Sequence, residues 1–123
     1  MSEKTEHKQV CEYIKLQYPH VIFNTDASGI KLTMGQAVQM KKLRSSRAFP
    51  DIIIYEPKKA FCGLFIEMKR TGERIYKKNG EPATEHIREQ LEMIDKLNNK
   101  CYSAFMCVGY NHAVKVIDEY MNL

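Results

Sequence analysis

An aspartate stands at the head of one apolar run, and a Glu-x-Lys lies inside the next. Phe49-Pro50-Asp51 leads into Ile52, Ile53 and Ile54; after a Glu-Pro-Lys-Lys-Ala joint and Gly63, the chain reads Leu64-Phe65-Ile66-Glu67-Met68-Lys69. Both runs read as buried strands. Such strands have no routine use for Asp, Glu and Lys together, because an ionised carboxylate removed from water is costly unless it is paired or bound to a metal. Two carboxylates and an amine converging on a strand pair are what a divalent cation needs for phosphodiester hydrolysis.

Geometry sharpens this reading. If 51–55 and 63–69 pair as an antiparallel hairpin centred near residue 59, Asp51 stands opposite Glu67, and directly opposed residues share a face. Lys69, two residues beyond Glu67, shares it too. Bare carboxylates about 5 Å apart repel by roughly 3 kcal/mol at an effective dielectric near 20. A divalent cation reverses that sign, and Mg²⁺ characteristically uses one or two carboxylates with waters and phosphate oxygens. Taken alone, a Glu-x-Lys is more often an ion pair on an exposed strand. Here Ile66 and Met68 flank Glu67 and Asp51 faces it, which shifts the balance to a site.

Two helical residues belong to the same argument. On a helix from Thr84 to about Asn98, Ile87, Leu91, Ile94 and Leu97 form the apolar stripe, and Gln90 falls inside it. A buried amide needs hydrogen-bond partners, and the carboxylate site or an attacking water would supply them; a side chain at the stripe's edge would reach solvent instead. Glu6 sits one turn before Val10, within the arc of Val10, Tyr13, Ile14 and Gln17. It could reach the site from a helix running Thr5 to about Tyr18, although the helix dipole alone also favours an acid in a first turn.

These residues need a scaffold of alternating elements. Val21–Asn24 reads as a short strand, Asp26–Gly29 as a turn, Ile30–Met34 as a second strand, and Gly35 to about Ser46 as a basic helix. Residues 70–83, with Gly72, Gly80 and Pro82, read as a mobile excursion. Tyr102–Val108 reads as a further buried strand and Asn111 to about Met121 as a closing helix. The order is α-β-(β)-β-β-α-β-α, an α/β arrangement in which helices cover one sheet. The 123 residues make one domain, and 44% hydrophobic with 28% charged residues is ordinary for a globular chain.

The charge is mild, 19 Lys and Arg against 15 Asp and Glu, or +4, but it is clustered. Residues 31–47 hold Lys31, Lys41, Lys42, Arg44 and Arg47 with no acid, and Lys69, Arg70, Arg74, Lys77 and Lys78 are interrupted only by Glu73. Both clusters flank the carboxylates, where a phosphate polymer would be drawn. The four cysteines lie singly, without metal-ligand spacing, so a zinc site is not expected; Cys62, Cys101 and Cys107 are expected to pack as small hydrophobes. The polar opening Met-Ser-Glu-Lys-Thr-Glu and the absence of a long apolar run give the expectation of a cytoplasmic protein without signal peptide or membrane span.

In order and spacing, Asp51, Glu67-x-Lys69 and Gln90, behind a leading helix with Glu6, resemble the PD-(D/E)xK nuclease superfamily. More narrowly the chain is similar to the virus-type replication-repair nuclease (VRR-NUC) domain in its small stand-alone phage and prophage form. The likeness runs from Glu6 through 102–108; where the family usually carries a glycine shortly before Pro-Asp, this chain has Arg47-Ala48-Phe49. The resemblance implies a restriction-endonuclease-like core (αβββαβ) with a central mixed sheet flanked by helices. It implies Mg²⁺ or Mn²⁺ held by Asp51, Glu67 and the Met68 carbonyl, with Glu6 nearby. Lys69 would orient or deprotonate the attacking water, and Gln90 would position the lysine or the water. It further implies DNA as partner, four-way junctions as substrate, a homodimer, and a bacterial or phage-infected host cytoplasm. A nicking or flap-type nuclease of the same fold, a catalytically idle nucleic-acid-binding domain, and a structural protein with solubilising patches are the alternatives.

Overall fold

The computed structural model describes residues 2–26 and 32–123. Its elements are α1 (Glu3–Gln17), β1 (Phe23–Thr25), α2 (Met34–Leu43), β2 (Ile52–Ile54), β3 (Leu64–Lys69), α3 (Glu85–Asn98), β4 (Ser103–Val108) and α4 (Tyr110–Met121). The four strands form one sheet in the order β1-β2-β3-β4. β1 and β2 pair antiparallel, as do β2 and β3, whereas β3 and β4 run parallel. A parallel neighbour requires a long crossover, and α3 supplies it.

Capping chemistry sets the helix starts. Ser2 accepts from Thr5 N at α1, and Thr84 accepts from Ile87 N at α3. The apolar stripes then fix which face is buried. Val10 and Ile14 of α1, with Ala113, Val116, Ile117 and Tyr120 of α4, pack on Ile52, Ile54, Leu64, Ile66 and Met68. Ile94 and Leu97 of α3 pack with Ala104, Phe65 and Tyr102 on the opposite face. Fully burying one such aliphatic side chain stabilises the fold by about 2 kcal/mol. The sheet is therefore sandwiched, with α1 and α4 on one side and α3 on the other.

Three sequence readings change. Ile30 and Lys31 lie outside the described residues, and Leu32–Met34 is not a strand. Thr33 instead opens α2 through a reciprocal cap: its hydroxyl accepts from Gln36 N at 3.2 Å, and Gln36 Oε1 accepts from Thr33 N at 2.9 Å. That Thr-x-x-Gln capping box forces the helix to begin where a strand was expected. The 70–83 excursion is tied down by Lys77 N to Glu81 O at 2.7 Å, Ala83 N to Ile75 O at 2.7 Å and a Tyr76–Pro82 bridge. Of the three cysteines expected in the core, Cys107 is buried but Cys62 and Cys101 are exposed, because both fall at the open end of the β3–β4 ladder.

Candidate functional site

The β2–β3 register pairs Ile52 with Ile66, Ile53 with Phe65 and Ile54 with Leu64. One step further, Asp51 meets Glu67, as the hairpin argument required. Asp51 is 5% exposed and leaves the ladder, and its Oδ2 accepts from Met68 N at 2.7 Å. The same register sets the fully buried Pro50 opposite Met68. Proline has no N–H to offer the Met68 carbonyl. Since the N–H and C=O of one strand residue point the same way, that carbonyl faces the Asp51 side.

Glu67 is 3% exposed. Gln90 Nε2 donates to its Oε1 and stands 3.2 Å from His86 Nε2. Lys69, 5% exposed, places Nζ 3.7 Å from Glu73 Oε2. Among the described residues, no donor reaches the buried Glu67 Oε2 or Gln90 Oε1. Burial first, and the neighbouring Asp51 charge second, push the Glu67 carboxyl up to about 9 against the restraining Lys69 amine. Without a cation, burial beside Asp51 favours the protonated form of this carboxyl.

Glu6 differs from its expected place. It is buried, but its carboxylate is engaged by Thr71 N at 2.8 Å, Thr71 Oγ1 at 2.6 Å and Tyr110 N at 3.2 Å. These bonds hold its carboxyl below the usual range, the Thr71 hydroxyl contributing most. α4 has no side-chain cap of its own, and Glu6 supplies an anion at its N-terminus from across the molecule. Gly109, at φ 88°, makes this possible, since a Cβ there would collide with Thr71 Oγ1. The α1 acid that reaches the centre is Glu3, one turn earlier. Burial and then Asp51 raise its carboxyl, and its charge in turn raises Glu67. The sequence signal for Glu3 is an acid next to the Ser2 cap, which the dipole also explains and which therefore does not stand out.

The basic residues divide. Arg44 bonds Asp26 at 2.6 Å and Arg47 makes two bonds to Glu89, at 2.9 and 3.0 Å, so tertiary structure brings acids to a segment whose sequence has none. Lys41, Lys42 and Arg70 are exposed, and Lys31 lies outside the described residues. A cleft of about 750 Å³ between α1 and β1 is lined by Lys4, His7, Lys8 and Lys15 and ends at Glu3 and Asp51. This lysine stripe was written in α1 at spacings of four and seven, the period of one helix face.

Among the described residues no group of three or more His, Cys, Asp and Glu stands ready to hold a metal. The donors that do meet are two carboxylates, Asp51 and Glu67, one of them with a buried oxygen lacking any donor. With a backbone carbonyl and waters filling the remainder, this set fits the sparse protein coordination of Mg²⁺ or Mn²⁺, and Glu3 can act through water. Among the described residues no helix is long and apolar enough to cross a membrane.

No protein-family model and no curated protein matches the chain. A solved structure described as a VRR_NUC domain protein does match, with a TM-score of 0.72 and 22% identity, covering 100% of this chain and 90% of that one. Over its whole length the chain therefore shares its fold with a VRR_NUC domain protein, the α/β, restriction-endonuclease-like architecture expected from the sequence.

Proposed function

We propose that this protein is a nuclease that hydrolyses DNA phosphodiesters at a Mg²⁺ or Mn²⁺ ion held by Asp51, Glu67 and the Met68 carbonyl. The observation that supports it most is the buried, donorless Glu67 Oε2 beside the Asp51 carboxylate and the Lys69 amine. A bound divalent ion would supply a hydroxide near neutral pH and screen charge on the phosphate. Lys69 would orient the attacking water and stabilise the developing negative charge. Gln90 would hold Glu67 through Nε2 and accept from a water through its unpartnered Oε1. Phosphates would follow the Lys4, Lys8 and Lys15 stripe to Asp51, with Lys41, Lys42 and Arg70 as outlying contacts.

The family resemblance supports branched DNA, four-way junctions first, and a homodimer in the cytoplasm. A twofold pair of active sites suits paired incisions. The test incubates labelled four-way, flap, nicked and linear DNA with Mg²⁺, Mn²⁺ or chelator. Paired cuts in the junction that require metal are expected, and Glu67→Ala abolishes them while DNA binding persists. Cuts in flaps or nicks alone would reassign the substrate; cleavage at the wild-type rate by Glu67→Ala would remove the site.

A further inference from the structure

Cys62 and Cys101 lie next to each other at the end of the sheet farthest from Glu67 and Lys69. The strand pairing begins at Leu64↔Ser103, and just before it the chain segments carrying Cys62 and Cys101 meet through a backbone hydrogen bond. Cys62 N donates to Cys101 O at 2.8 Å. With standard bond lengths, that contact limits their Cα separation to about 6.7 Å, inside the window of roughly 4.4–6.8 Å that a disulfide spans. Both residues are exposed, and both are free thiols.

Cys101 carries a second peculiarity. α3 ends at Asn98, Tyr102 N turns back to Leu97 O at 3.3 Å, and Cys101 adopts φ 68°. Glycine is the residue this left-handed position after a helix favours, because a Cβ strains it. A cysteine there disobeys the local preference, at a position whose carbonyl accepts from the Cys62 N–H. Cys107 is buried and Cys11 only partly exposed, so neither competes for solvent reagents in the same way.

We propose that Cys62 and Cys101 are a disulfide-forming pair, oxidised by a low-molecular-weight disulfide such as glutathione disulfide. One thiolate attacks a sulfur of glutathione disulfide and expels a glutathione thiolate. The second loses its proton, attacks the mixed disulfide and expels the other; the protein gives up two protons and two electrons, and the reagent becomes two glutathiones. The bond closes a loop over residues 63–100. That loop carries Glu67, Lys69 and Gln90, so oxidation would fasten the segment bearing most of the candidate site without touching it.

The test equilibrates the full chain with graded ratios of glutathione disulfide to glutathione, followed by intact mass and peptide mapping. Wild type is expected to lose two hydrogens, with a Cys62–Cys101 cross-linked peptide and a melting temperature raised by roughly 10 °C. Cys62→Ser and Cys101→Ser should each show a single glutathione adduct on the remaining thiol, without the melting shift. Separate stable adducts on both cysteines of the wild type, no modification, or disulfide-linked dimers would overturn the proposal.

Discussion

Replacing Glu67 with glutamine removes a charge and a proton equilibrium while keeping the shape of the side chain. In the metal-free protein the Glu67 carboxyl is raised from 4.5 to about 9 by burial and by Asp51. The folded state then holds a proton that the unfolded chain releases above pH 4.5, so stability is fully present below that value and is lost as pH rises towards 9. Each pH unit in the window is worth about 1.4 kcal/mol, so roughly 3 kcal/mol disappears by pH 7. Glu67→Gln has no such loss. Urea unfolding without metal should therefore give nearly coincident stabilities at pH 5 and a variant more stable than wild type at pH 8. Added Mg²⁺ should close the gap at pH 8 by stabilising wild type alone. If the two proteins follow parallel pH curves, or both respond equally to Mg²⁺, the account of this buried carboxylate fails.

The other expectations follow from the same geometry. Glu6→Ala strands the Thr71 and Tyr110 donors and should lower unfolding stability by about 2–3 kcal/mol, whereas Glu3→Gln should spare stability and weaken metal affinity by calorimetry. The reverse assignment would exchange the two results. Because the Glu6 carboxyl is depressed, its contribution is present above pH 4.5 and lost below it, which acid titration of Glu6→Gln against wild type would read. Gly109→Ala combines a left-handed φ with a clash on Thr71 and should destabilise by more than about 1 kcal/mol in thermal unfolding. Changing Lys4, Lys8 and Lys15 together to glutamine should flatten the log–log salt dependence of DNA affinity by roughly 2–3; an unchanged slope would move the phosphate path elsewhere.

The sequence is most informative where spacing and local pairing decide the outcome. Asp51 meets Glu67 because one short antiparallel connection leaves a single register that buries Ile52, Ile54, Leu64 and Ile66 together. Gln90 is half legible: its place in the α3 stripe allows either burial or an edge position reaching solvent, and the structure buries it against Glu67. Glu6 and Glu3 are harder: both precede the same stripe, and which one turns inward depends on Thr71 and Gly109, remote in the chain. Likewise, no local pattern announces that Asp26 and Glu89 will meet Arg44 and Arg47. The Thr33 capping box was visible in its letters, but the apolar Ile30 and Leu32 beside it suggest a strand.

α2 buries none of its residues. Its start is secured by its own cap, and the ion pair of Arg44 with Asp26 ties down its far end. A helix held in this way adds little to the free energy of the two cores, so residues 34–43 are free to diverge without the rest of the molecule having to adjust. Substitutions in α2 should therefore leave the packing around β3 unchanged.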